Sequence, residues 1–256
     1  MVTQGDICLL LEAGKPILIA FEYTQSGFYS LTKSVCKRVV SLDISRDKIK
    51  TLTLGIDIEK FHFVERVAFE AAQGLKLVCT RRFEPVFDHQ TVIGALARLK
   101  ERGIAFHTTF VGDGSLLGTL KQQISRVGLD DSVTFSGRVH NDELPEVLAR
   151  HDVYLSASLW DGASLSLLEA MATGLFPIVS DIKANSAWLS HNADGLLHKV
   201  GDADDLAKCI MQLYSNPQLA TEAAKRNRKR VVEHGNRKTN MKRLETIYQE
   251  LIDKPR

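Results

Sequence analysis

From Leu75 onward the sequence predicts an α/β fold with a doubly wound, Rossmann-like parallel sheet. Short β-branched or apolar runs alternate there with longer segments of helical period, the pattern of a parallel sheet covered by helices. Successive strand–helix units of this kind wind a sheet outward from its middle in both directions. A chain of 256 residues, 44% apolar and 25% charged, can bury the core that such a sheet needs.

In order, strands are expected at Leu75–Thr80, Ala105–Val111, Ser132–Phe135, Val153–Ser156 and Phe176–Ser180, with a short one at Gly195–His198. Between them, helices are expected at His89–Arg102, Leu116–Val127, Glu143–Ala149, Leu165–Thr173, Asn185–Ser190 and Ala203–Tyr214. After Pro217 the chain reads as helix almost to its end, and its basic run Lys225-Arg226-Asn227-Arg228-Lys229-Arg230 reads as a solvated helix face. Ahead of the sheet, Pro16–Tyr23 and Lys48–Leu54 read as strands and Gly27–Lys37 as a helix, one βαβ unit too small to bury a core of its own. Ligands of such sheets bind beyond the carboxyl ends of the strands, so chemistry belongs in the loops after residues 80, 111, 135, 156 and 180.

Composition excludes several classes. A net charge of +2 gives no concentrated basic face for nucleic acid. Cys8, Cys36, Cys79 and Cys209 form no CxxC pair, so neither a zinc site nor a disulfide framework is expected, and a reducing cytoplasm fits. The apolar stretches Ile7–Leu11 and Ile17–Phe21 are far shorter than the roughly 20 residues of a membrane span, and no secretory signal is read. Peripheral contact with the inner membrane surface needs neither feature and stays open.

The stretch from Ser158 to Met171 follows a strand, turns at Asp161-Gly162, offers Ser164 as a helix cap and then becomes an apolar helix. Free N–H groups near Leu165 and Ser166, with the positive end of the helix dipole, suit a phosphate. Asp161 and Glu169 flank this helix start, and carboxylates accept hydrogen bonds from sugar or ribose hydroxyls. Read alone, the same residues describe an ordinary turn and a capped helix.

Two acidic residues separated by seven others and followed by Ala-Met resemble the acidic motif of glycosyltransferase family 4. Glu169-Ala170-Met171-Ala172-Thr173-Gly174 and Pro177-Ile178-Val179-Ser180-Asp181 fit that pattern closely. So do Val111-Gly112-Asp113-Gly114, the run from Val133 to Val139, His151 to Ser156, and Asp194-Gly195 with Gly201-Asp202, while Leu54 to Phe61 is similar to the segment joining the two halves of such enzymes. The resemblance implies the C-terminal half of a GT-B fold. It divides the chain into residues 1–62, a remnant of the N-terminal domain with its linker, residues 63–235, a nucleotide-sugar-binding domain, and residues 236–256, a C-terminal helix.

On that resemblance Glu169 binds the ribose and Asp161 the transferred sugar. The amides of Gly162, Ala163, Ser164 and Leu165 hold the sugar and diphosphate, with Gly112 and Gly114 in the neighbouring loop. Val139 meets the base through its main chain, and Arg81 pairs with the diphosphate, with Arg82 as a rival. The chain departs from the family in three ways. Asp161 stands where Glu is usual; Val86 and Phe87 stand where a Lys shares the diphosphate charge; and only residues 1–62 precede the donor domain, whereas the family's N-terminal domain carries the acceptor site. The implied activity is transfer of a sugar from a nucleotide diphosphate to a hydroxyl with retention. Little turnover is expected without an acceptor domain, supplied by a partner subunit or a second copy. No metal is expected: Asp202, Asp204 and Asp205 read as acidic residues at a helix start, and His140 as a surface residue. The rival readings are a non-catalytic nucleotide-sugar-binding module, and another enzyme on the same architecture such as an epimerase or a phosphorylase.

Overall fold

The computed structural model describes residues 7–12, 15–19, 49–66 and 74–252. Its main sheet has six parallel strands: β4 (Leu75–Cys79), β5 (Phe106–Val111), β6 (Val133–Gly137), β7 (Val153–Ser156), β8 (Phe176–Ser180) and β9 (Leu196–His198). Their order, β6-β5-β4-β7-β8-β9, is the doubly wound arrangement expected, and the winding reverses between β4 and β7. The joining helices are α1 (His89–Glu101), α2 (Leu117–Arg126), α3 (Leu144–Ala149), α4 (Leu165–Thr173), α5 (Lys183–Ser186) and α6 (Ala203–Ser215). The helical stretch after Pro217 is two helices, α7 (Gln218–His234) and α8 (Arg237–Ile252), parted at Gly235-Asn236.

Side chains alternate across each strand, so the sheet has a core on both faces. Leu75, Leu77, Cys79, Val153, Leu155, Phe176 and Ile178 pack with α1, α2 and α6 on one face. Val78, Tyr154 and Val179 pack with α4 and with Ile56, Phe61 and Val231 on the other. Helix α4 is buried almost all round and ends at Gly174, whose φ of 92° needs no Cβ; one placed there would lie 2.7 Å from the Val64 carbonyl.

The leading strands are β1 (Ile7–Glu12), β2 (Lys15–Ile19) and β3 (Ile49–Leu52). β1 pairs antiparallel with both others, in the order β2-β1-β3. The strands expected at Pro16–Tyr23 and Lys48–Leu54 overlap β2 and β3, but they do not neighbour each other, so the simple βαβ unit is corrected to an antiparallel sheet with a hairpin. The helix expected at Gly27–Lys37 lies outside the described residues. Beyond β3, Ile56 bridges to Asn236: its N–H donates to the Gly235 carbonyl (2.8 Å), and its own carbonyl accepts from Arg237 (2.9 Å). The Asn240 amide adds a bond of 2.8 Å to the Thr53 carbonyl.

The basic run of α7 is only in part the solvated face expected: Lys225, Arg226 and Lys229 are exposed. Arg228 turns inward and donates to the carbonyls of Phe61, Ala172 and Ile58, while Arg226 and Arg230 converge on the buried Asp194. Lys225 pairs with Glu65 and Lys229 with Glu233 at the surface. Orphan carbonyls at the ends of α4 and in the 58–61 turn take up this positive charge. Among the described residues no helix is long and apolar enough to cross a membrane.

Candidate functional site

The loops leaving β4 and β7 diverge from the point where the winding reverses, and Arg81 and Asp161 come from these two loops. The Arg81 side chain is 10% exposed and Asp161 13%, and Arg81 Nη2 lies 2.7 Å from Asp161 Oδ2. The same nitrogen donates to Ser164 Oγ at 3.3 Å, and the guanidinium stacks over the Phe87 ring at 5.3 Å. Burial disfavours the Arg81 charge, yet Tyr154 and Asp161 beside it hold its pKa above the ordinary value. Its Nε, also buried, has no partner among the described residues. Arg82, the rival, is largely exposed and reaches Glu84 at 3.5 Å.

Phe87 closes the short turn Pro85–Phe87 and is buried. A ring that supports the arginine thus occupies a position where the family resemblance places a second cation. Behind Arg81, the loop after β5 packs backbone to backbone on residues 81–83. A Cβ on Gly112 would lie 2.5 Å from the Arg81 carbonyl, and one on Gly114 2.5 Å from that of Phe83. These glycines brace the loop that carries Arg81.

At the start of α4 the Leu165 N–H donates to the Ala163 carbonyl (2.8 Å), with Ser164 at φ −75° and ψ 70°, an inverse γ-turn. Leu165 therefore has no free N–H, which corrects that expectation. The Ser164 hydroxyl does not cap the helix; it lies between Asp161 Oδ2 (3.0 Å) and Asn185 Oδ1 (2.6 Å). The N–H groups of Ser166 and Leu167 find no backbone acceptor among the described residues, and the dipole end they share remains open to an anion.

Glu169, one turn on, is 8% exposed and its carboxylate finds no hydrogen-bond donor among the described residues. Burial pushes its pKa up to about 7 against the pull of Arg81, Arg237 and Lys60. Val139 lies half-buried against the core beside α4. Its loop is held by Asp142, which accepts from Lys60 Nζ at 2.6 Å, and His140 stands exposed 3.3 Å from Asp142. The Asp202 cluster is accounted for by the helix itself: Asp202 accepts from the Asp205 N–H, Asp205 from that of Lys199, and Asp204 pairs with Arg98. No group of three metal-ligating side chains occurs among the described residues.

Sequence reasoning missed Asn185, Phe87 and Lys60. Asn185 was placed on a helix with no signal of an inward side chain, yet it is fully buried, and its Nδ2 donates to the Ser180 carbonyl at 2.8 Å. Lys60 carried a signal only through its place in the joining segment.

A wound sheet thus gathers an arginine, a helix start and two carboxylates at its switch point, groups whose chemistry can hold phosphate oxygens and hydroxyls. Residues 65–230 match the family model of glycosyl transferases group 1, and the chain belongs to that family. It is 30% identical over 182 residues to the amylovoran biosynthesis glycosyltransferase AmsK of Erwinia amylovora, covering 69% of this chain and 44% of that one. Among solved structures it is similar to a glycosyltransferase from Rickettsia africae, with a TM-score of 0.76 at 18% identity over 88% of this chain and 63% of that one. It is also similar to Anabaena HepE in complex with UDP, with a TM-score of 0.74 at 20% identity over 86% and 63%. The chain spans about half the length of the curated relatives it matches.

Proposed function

We propose that this chain binds a nucleotide-diphosphate sugar and serves its transfer to a hydroxyl acceptor with retention of configuration. The observation that carries the reading is Glu169: a buried carboxylate beside an open helix start, with no donor of its own, which ligand hydroxyls would satisfy. Arg81 would then leave Asp161 for the diphosphate, and together with the Ser166 and Leu167 amides it would support the departing charge. Asp161, released, would accept from the sugar. No metal enters this reading, because a guanidinium and a helix dipole supply the positive charge.

Acceptor binding and closure over the donor are assigned to a partner subunit or a second copy, at a site reached from the cytoplasm or the membrane surface. Phe87 in the place of a cation favours a second reading, a module that binds a nucleotide sugar without turning it over. A labelled-donor assay on the chain alone and with candidate partners separates the two. Transfer only with a partner supports the proposal; steady turnover by the chain alone overturns the partner assignment, and donor binding without transfer in any combination favours the module.

A further inference from the structure

The Ser164 hydroxyl has one proton and two acceptors for it. Asp161 Oδ2 lies at 3.0 Å and Asn185 Oδ1 at 2.6 Å. The orientation of Asn185 is not free, because its Nδ2 faces the Ser180 carbonyl at 2.8 Å, and a carbonyl can only accept. Asn185 must therefore present its oxygen to Ser164. The shorter contact takes the proton. Ser164 Oγ then turns lone pairs toward the Asp161 carboxylate, an unfavourable approach that only a shared donor relieves. Arg81 Nη2 is that donor, 2.7 Å from Asp161 and 3.3 Å from Ser164.

We propose that Asn185 is a positioning residue: by holding the Ser164 proton it makes the resting place of Asp161 depend on Arg81, so that capture of a diphosphate by Arg81 releases Asp161 to the sugar. This inference rests on the donor-site reading above. Without Arg81, the Ser164 oxygen and the carboxylate face each other with no proton between them, and Asp161 does better by turning to a ligand hydroxyl. Were Asn185 unable to accept, Ser164 would donate to Asp161 instead and hold it back. Ser164→Ala removes the contested proton and frees Asp161 again, and it costs the helix no cap because the hydroxyl makes none.

The test measures, by calorimetry, the affinity of UDP and GDP and of UDP-N-acetylglucosamine, UDP-galactose and GDP-mannose for the chain and its variants. The readout is the ratio of nucleotide-sugar affinity to bare-diphosphate affinity for whichever pair binds. Asn185→Leu should lower that ratio about ten- to a hundredfold, the worth of one hydrogen bond to a charged acceptor. Asn185→Asp, kept protonated by its full burial so that its hydroxyl donates to the Ser180 carbonyl and its other oxygen accepts from Ser164, should retain it, and Ser164→Ala added to Asn185→Leu should restore it. A purely structural role would instead leave the double variant worse than the single. An unchanged ratio in Asn185→Leu, or no recovery in the double variant, overturns the inference while the donor site stands. Should Asn185→Leu not fold, the Asn185→Asp variant still decides, since loss of its ratio also overturns the inference. Failure of the parent chain to bind any of these ligands overturns the donor-site reading itself, and the inference with it.

Discussion

Arg81 and Asp161 form an ion pair of 2.7 Å in which neither side chain is more than 13% exposed. Removing one member leaves a charge stranded out of water, which costs about 3–5 kcal/mol, whereas removing both leaves none. Arg81→Ala should therefore lower the denaturant midpoint more than the Arg81→Ala, Asp161→Ala pair does. A double variant less stable than the single one would show that the pair is held by something other than charge.

Asp161→Asn keeps the shape of the side chain but loosens its hold on Arg81. The bare nucleoside diphosphate should bind as well as before or better, and the nucleotide sugar should lose about 1–3 kcal/mol. Isothermal titration with both ligands checks the split, and equal losses would remove Asp161 from the sugar.

Glu169 titrates from 4.5 in the unfolded chain to about 7 in the fold. An acid raised on folding binds its proton more tightly in the native state, so stability falls as pH climbs from about 4.5 to about 7 and is level above that. The full drop is on the order of 3 kcal/mol. Glu169→Gln should flatten this slope in pH-dependent unfolding. Ligand hydroxyls favour the ionised form, so binding near pH 6.5 should release a proton, visible as a buffer-dependent heat, and Glu169→Ala should weaken nucleotide binding by about 1–3 kcal/mol.

Val86 is half-exposed at the turn where the resemblance places a lysine. Val86→Lys should tighten nucleoside diphosphate binding a few-fold, with a gain that shrinks as salt screens the added charge. Titrations at low and high ionic strength test this; the same affinity at both would place the diphosphate elsewhere.

Residues 153–156, 165–173 and 176–180 were legible to the residue because burial there is nearly complete and turn residues stop each run. The antiparallel sheet at the front was not legible, since nothing local to Pro16–Tyr23 or Lys48–Leu54 says that Ile7–Glu12 inserts between them. At the site, Arg81, Asp161, Ser164 and Glu169 could be named from the chain. Their arrangement could not, because the Arg81–Asp161 and Ser164–Asn185 contacts join different strand–helix units, and a hydroxyl's choice of acceptor depends on what folding brings near it. The inward turn of Arg228 was hidden in a run of like charges, although the carbonyls that it satisfies lie in two other segments.

The bonds between Thr53–Ile56 and Gly235–Asn240 tie the end of β3's strand segment to the first turn of α8. Whatever pulls on the chain ahead of residue 53 therefore pulls on two ropes at once, the joining segment and the last helix. Tension from that side would load α8 before it reached the sheet. The helix would act as a tether taking up the strain, and because Arg237 in its first turn and Lys60 just beyond Ile56 both act on Glu169, a shift in that tether would be felt at the buried carboxylate.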